Sequence, residues 1–236
     1  MPANIPLFPL GTVLFPGVVL PLHVFEPRYR ALVRDLMDVP DSERREFGVV
    51  AIRQGWEVGT DGVTALYRVG CTAELRQVAG YDDGRFDVVT VGRRRFALRE
   101  LVPGHHPYLR GTVEWLAETT GSEDEATVLS RSVAEVFGRF QSMLLAFQPA
   151  GDPTLGDRRA ASAELALPDE PDLLSYLVGA SAPLTLDDRQ GLLAIDDTVL
   201  RLRHELRLLK REATMLSRLR AVPVPLAELR VPMSLN

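Results

Sequence analysis

Lysine occurs once in this chain, at Lys210, and cysteine once, at Cys71. A lone cysteine rules out an intrachain disulfide and a thiolate zinc cluster, so a reducing, cytoplasmic setting is expected. The lone lysine excludes more. A phosphate-binding P-loop ends in a glycine followed by Lys and Ser or Thr, whereas Lys210 sits in RLLKRE with no glycine before it and Arg211 after it. A Ser–Lys peptidase dyad needs a lysine desolvated enough to act as a base, and Lys210 lies among Arg207, Arg211 and Glu212. Basic excess is also missing: 27 basic residues against 32 acidic give a net charge of −5, the opposite of a general polyanion binder. No long apolar run exists near the start. MPANIPLFPLG has no basic lead, and Pro6, Pro9, Pro16 and Pro21 interrupt the apolar stretch, so neither a signal peptide nor a membrane helix is expected.

The chain does carry material for a core. Hydrophobic residues make up 46% of 236, enough for one large domain or two modest ones. The segments IPLFPL (5–10) and VVLPL (18–22) read as short extended pieces split by the turn Pro16-Gly17. Each proline removes a ladder donor, which places these pieces at an edge or rim. Glu26-Pro27 then opens a helix, with Pro27 suited to the first helical position and Glu26 to the positive end of the dipole. Tyr29, Leu32, Val33, Leu36 and Met37 recur at helical spacing and form its buried stripe, ending near Val39-Pro40. FGVVAIR (47–53) has the β-branched content of a strand. ALYRVGCTAELRQVAGY (65–81) and RFDVVTVG (85–92) flank the turn Asp82-Asp83-Gly84, and RRFALRELV (94–102) and YLRGTVEWLAE (108–118) continue the pattern. Several short strands at this spacing specify a closed or strongly curled antiparallel sheet over 1–118.

The character changes at TTGSEDEA. From 123 to 147 apolar residues, among them Ala126, Val133, Phe137 and Phe140, return every three or four positions, with Ser122 as cap and Glu125 three residues on. A mobile connection is expected over 148–170, where Pro, Gly and Ala dominate without periodicity. Short helices are expected at 171–180 and 186–194, the second capped by Thr185 with Asp188 at the capping-box spacing. A terminal helix, about 196–220, carries the seam Val199, Leu202, Leu206, Leu209, Ala213 and Leu216, and an extended tail comes after it. The second domain, 119–236, is thus a helical bundle.

Read in order, IPLFPL (5–10), FPGVVLPL (15–22), FEPRY (25–29), FGVV (47–50), VGCTA (69–73), Gly84-Arg85, Gly92 with Arg95-Phe96, and Pro107-Tyr108 make the chain similar to the N-terminal substrate-binding domain of the Lon protease family. The resemblance covers 5–118, and the helical part to about 220 resembles the family's helical second lobe. It implies an α+β architecture: a PUA-like curled β-barrel lobe followed by an α-helical bundle lobe. It also implies a free-standing protein whose relatives recognise unfolded or tagged polypeptides. In full-length Lon this part precedes an ATPase and a Ser–Lys peptidase, and Lys210 alone furnishes neither.

Residues with the chemistry of an acid–base site, His23, Glu26, Arg28 and Tyr29, straddle a strand-to-helix junction, where charges serve the helix start and pair locally. Glu26 is expected to be partly buried and bonded by backbone amides or an arginine such as Arg95. Cys71 on a strand reads as a small core residue. His105-His106 offers too few ligands for a metal, and His204-Glu205 lacks the second histidine of H-E-x-x-H because Leu208 stands there. Catalytic, cofactor-binding and metal residues are therefore all assigned as none, and no cofactor is expected. Strand alternation sends Arg94 to the face opposite Arg93 and Arg95, diluting any RNA-binding patch, so a solvated turn with one structural arginine is expected there. Residues 196–220 hold seven basic and four acidic side chains, +3 against −8 elsewhere, an asymmetry that would orient an acidic partner.

These features support three functions. The leading one is a non-catalytic module binding unfolded or tagged polypeptides, delivering them to a protease or chaperone, through an apolar groove expected between the β lobe and the helices. The alternatives are a hydrolase with an unidentified site and an RNA-binding adaptor.

Overall fold

The computed structural model describes residues 2–40, 44–55, 63–146 and 167–219. The expected connection lies outside these up to 166, as does the whole of the expected tail beyond 219. The chain divides into two compact units, Met1–Glu118 and Thr119–Asn236.

Among its described residues, unit 1 holds seven strands and one helix: β1 (Ala3–Leu10), β2 (Val19–Val24), α1 (Pro27–Met37), β3 (Glu46–Gly55), β4 (Val63–Leu66), β5 (Val69–Gly80), β6 (Phe86–Val102) and β7 (Arg110–Trp115). The ladder runs β1-β7-β6-β5-β3, and a parallel β1–β3 pairing closes it into a barrel. Closure removes the open edges that a curled sheet would otherwise expose. β1 is therefore no rim strand, despite its prolines. It pairs with β7 over residues 3–6 and with β3 over 7–10. Leu7 N donates to Leu109 O at 2.8 Å, so by alternation the donor missing at Pro6 faces β3, where pairing begins only at the next residue. The donor missing at Pro9 faces β7, whose pairing has already ended. β2, with Pro21, pairs with β6 alone and does lie at an edge.

Two expected strands, 85–92 and 94–102, are one. β6 runs 17 residues without a turn at the arginines, bending instead through a register shift opposite Cys71 and Ala73. Conversely, 65–81 breaks at Tyr67-Arg68 into β4 and β5. The hairpin between β5 and β6 turns where expected, with Gly84 at φ 80° and its N–H bonded to Tyr81 O at 2.8 Å. Leu7, Val50, Phe96 and Val113, all fully buried, form the centre of the barrel. α1 buries Tyr29, Leu32, Val33 and Leu36, while Met37 faces outward.

Unit 2 is built from α2 (Glu123–Ala146), α3 (Pro171–Ser181), α4 (Leu186–Ala194) and α5 (Thr198–Leu219). Caps set three of these starts. Ser122 Oγ accepts from Glu125 N at 3.4 Å, Thr185 Oγ1 from Asp188 N at 3.1 Å, and Asp197 Oδ1 from Leu200 N at 2.8 Å. α2 packs along α5, and α3 lies against both. The seam of α5 differs from the apolar pattern: Val199, Leu202, Leu209 and Leu216 are buried, but Leu206 and Ala213 only half so. Arg201, Glu205, Leu208 and Glu212 complete the inner face.

Candidate functional site

At the β2–α1 junction, Glu26 precedes the first helical turn without a side-chain capping bond. Its Oε2 lies 3.0 Å from Arg28 Nη2, with both side chains 16% exposed. Arg28 in turn covers the Tyr29 ring, which stacks on Phe8 with centroids 3.9 Å apart. Glu26 is thus partly buried and paired with an arginine as expected, but the arginine is Arg28. Arg95 is committed elsewhere: buried in the barrel wall, it donates to Glu118 Oε2 at 2.9 Å and to Ala117 O at 2.8 Å. The sequence neighbour wins because the i, i+2 pair meets across the helix start, whereas β6 aims Arg95 at the strand end beyond β7.

His23 points outward from β2. Its Nδ1 lies 2.6 Å from Asp87 Oδ1, and its Nε2 lies 3.4 Å from Arg85 Nη1. Asp87 also accepts the Tyr81 hydroxyl, and the bonds from Tyr81 and His23 hold its carboxyl below the ordinary aspartate value. A histidine backed by a carboxylate resembles a general base, yet no serine, threonine or cysteine is bonded to His23 among the described residues. Cys71 is far from that chemistry: burial pushes its thiol up to about 12. His106 stands 4.0 Å from Asp35, and no cluster of three metal-type ligands occurs among the described residues.

The arginine triplet diverges. Arg93 pairs with Glu74 at 2.9 Å, the Arg94 guanidinium carbon lies over the Trp115 ring, 3.9 Å from its centroid, and Arg95 is internal. No basic patch results, although the segment is strand rather than the solvated turn expected.

Arg94 and Trp115 instead wall a cleft of about 450 Å³ in unit 1. β1 contributes Ile5 and Pro6, α1 and its C-terminal end contribute Leu32, Leu36 and Val39, and β3 and β7 close the sides. Charges sit around this apolar floor. Glu46 lies 3.6 Å from both Arg44 and Arg94, too far for hydrogen bonds. The Tyr108 hydroxyl donates to Asp35 Oδ2 at 2.6 Å, and burial, followed by that bond, pushes its pKa up to about 12, so it remains a donor. A second hollow of about 380 Å³ shares Asn4, Tyr108 and Arg110 with the first and runs on past His105 and His106. Together they make a groove with an apolar floor and a polar rim of both signs. Its lining comes from five separated stretches of sequence, so no motif announces it.

The other concentration of polar groups is inside unit 2. Arg201, fully buried, donates to Ser175 Oγ at 2.8 Å, Ile195 O at 2.8 Å and Thr198 Oγ1 at 3.0 Å. Ser175 Oγ donates onward to Glu205 Oε1 at 2.9 Å. Burial pushes the Glu205 carboxyl well above its ordinary value. Its sequence neighbour His204 lies toward the surface, with its pKa lowered by burial and then by Arg207. The network ties α3 to α5 and ends at Glu205, whose Oε2 has no hydrogen-bond partner among the described residues. Its sequence signal was the four-residue spacing of Arg201 and Glu205 on the same face as Leu202 and Leu209, which apolar periodicity alone ignores.

A family model described as the ATP-dependent protease La (LON) substrate-binding domain matches residues 4–211. The chain is 28% identical over 218 residues to Lon protease 2 of Myxococcus xanthus, covering 92% of this chain and 24% of that protein. It is 34% identical over 132 residues to the Lon protease of Parabacteroides distasonis, covering 53% of this chain and 15% of that protein. The chain therefore spans about a quarter, or less, of the length of these relatives. In fold it is similar to the Lon N-terminal domain protein from Xanthomonas campestris, with a TM-score of 0.57 at 23% identity, covering 87% of this chain and 98% of that one. It is also similar to the N-terminal domain of the Mycobacterium avium complex Lon protease, with a TM-score of 0.56 at 19% identity, covering 88% and 98%.

Proposed function

This chain belongs to the Lon substrate-binding domain family, and from that premise we propose that it captures polypeptide segments in the groove of unit 1 without cutting them. The observation that carries this reading is the groove itself: an apolar floor of Ile5, Pro6 and Val39, backed by the buried Leu32 and Leu36, beneath a rim of Asp35, Glu46, Arg94 and Arg110. An extended segment would lay alternate side chains on the floor and its polar backbone along the rim. Charges of both signs at the rim orient a chain without demanding one sequence, as capture of unfolded polypeptides requires.

The arrangement of the candidate chemical groups among the described residues supports a non-catalytic reading. Lys210 is the only lysine and sits exposed on α5, Cys71 is buried with its thiol protonated, and His23 has a carboxylate behind it but no nucleophile bonded to it among the described residues. Among the described residues no helix is long and apolar enough to cross a membrane. Captured chains would pass to a protease or chaperone in the cytoplasm, the compartment that suits a single reduced cysteine.

The test is fluorescence anisotropy with labelled, reduced and carboxymethylated α-lactalbumin. Val39→Asp, which places a charge on the floor, is expected to weaken binding about tenfold with its circular dichroism unchanged. Equal binding by the variant would sink the groove. Hydrolysis of peptide or ester substrates, abolished by His23→Ala, would sink the non-catalytic reading.

A further inference from the structure

α5 contains two acidic residues, Glu205 and Glu212, and both are buried. Its outward face is consequently of one sign. Arg203, Arg207, Lys210, Arg211 and Arg218 are exposed along it. Arg203 is bonded to Glu125 of α2, and Arg211 to Asp188 and Glu212. Arg207, Lys210 and Arg218 have no acidic partner among the described residues. Arg203, Arg207 and Lys210 fall at i, i+4 and i+7, a single line about 10 Å long at the helical rise. At the N-terminal end of this line lies a hollow of about 620 Å³, floored by Ile195, Leu200 and Leu206 and flanked by Arg203, His204 and Arg207. Leu200 is 52% exposed there, so the floor is open.

We propose that this face docks an acidic segment of a partner protein, one apolar side chain of which fills the hollow over Leu200 while its carboxylates align on Arg207 and Lys210. Charge complementarity selects the sign of the occupant: cations a helical turn apart repel one another by tenths of a kcal/mol, and only an anionic partner turns that cost into attraction. The apolar hollow selects its class. A nucleic acid strand offers phosphates but no aliphatic side chain for a Leu- and Ile-lined floor. A lipid surface would require an outward apolar face, whereas α5 turns Leu202, Leu209 and Leu216 into the bundle. The site is separate from the groove of unit 1 and stands without it.

The probe is a labelled peptide of two leucines followed by a run of glutamates, tested on the full chain by anisotropy at about 50 mM and about 300 mM salt. Tight binding at low salt, weakened at high salt and absent for the same peptide with every Glu→Gln, is expected. Arg207→Glu/Lys210→Glu should weaken binding about tenfold at low salt and flatten the salt dependence. Leu200→Ser should weaken it about fivefold at either salt. Val39→Asp should leave it unchanged, which separates this face from the groove. Should the double reversal unfold, Arg207→Gln/Lys210→Gln supplies the same comparison. Four outcomes each overturn the proposal: equal binding of the glutamine peptide, equal binding by the charge variants, displacement of the peptide by oligouridine or phosphatidylglycerol vesicles, or self-association of the wild type that the reversal abolishes.

Discussion

Gly92→Ala is expected to be among the most damaging single-methyl additions in unit 1. Gly92 sits in β6 where the segment 15–18 crosses over the barrel wall, and a Cβ built there would lie 2.0 Å from Phe15 O and 2.8 Å from Phe15 C. Ordinary contact begins at 3.4 Å, so backbone, which cannot rotate aside like a side chain, must retreat by more than an ångström. Two bonds hold it in place: Gly92 N donates to Val18 O, and Gly17 N donates to Gly92 O, both at 2.9 Å. Losing both costs about 2 kcal/mol, and the residual overpacking adds about 1–3 kcal/mol. Against this, alanine restricts the unfolded chain, which returns about 0.5–1 kcal/mol. The net loss is about 2–4 kcal/mol. Both tryptophans, Trp56 and Trp115, belong to unit 1, so fluorescence during urea unfolding reports on that unit. With a urea slope of about 2 kcal/mol/M the midpoint should fall by about 1–2 M. Gly138→Ala in α2, where a Cβ meets nothing within 4 Å, serves as the opposite control and should leave this signal unmoved. A Gly92→Ala midpoint within about 0.3 M of wild type would refute the close approach as the reason for glycine here.

The buried Glu205 carboxyl is raised well above 4.5 in the folded state, so the unfolded chain ionises first. Its contribution is complete below pH 4.5 and declines as pH rises toward the folded value, by up to about 1.4 kcal/mol per unit. Glu205→Gln keeps the bond from Ser175 and should remove that decline, read as a flatter stability–pH curve by circular dichroism; an unchanged slope refutes it. Cys71, with its thiol pushed up to about 12, should resist iodoacetamide in the native protein at neutral pH and react on unfolding, and stoichiometric native labelling followed by mass spectrometry would contradict this. Asp197→Ala removes the cap of α5 and should cost about 1 kcal/mol, with faster amide exchange confined to the first turn of that helix.

Local chemistry in the sequence marked the helix starts well, because a cap is a contact among three or four neighbouring residues, as with Ser122 and Glu125 or Thr185 and Asp188, and because Pro27 suits a first helical position even though Glu26 makes no capping bond. It marked the curled sheet through period-two patterns, but not its closure. Whether β1 lies at an edge depends on which strands flank each half, and Pro6 and Pro9 are tolerated only because β7 and β3 take opposite halves. A local rule counts a missing donor as a missing partner; the barrel shows each donor missing on the side that has none to meet. The arginine triplet misled in the same way. Three adjacent cations suggest a turn, yet a 17-residue strand carries them by giving each a different destination. The groove was least legible, since its floor is assembled from strand, helix and loop residues that share no spacing.

Glu205 and Glu212 show why composition alone could not assign the charged face of α5. Counted along the sequence, 196–220 holds seven bases and four acids, a net positive bias with no face assigned to it. Burial sorts them. Arg201 enters the bundle because Ser175, Thr198 and the Ile195 carbonyl accept its donors, and Glu205 comes one turn later to meet Ser175. Glu212 lies two turns further on, bonded by Arg211. Once the glutamates are withdrawn into the interior, the cations left outside, Arg211 apart, have no acidic counterpart on their own helix. The polar network that fixes α3 against α5 and the single-signed outer surface are therefore two consequences of one placement of the acidic side chains along α5.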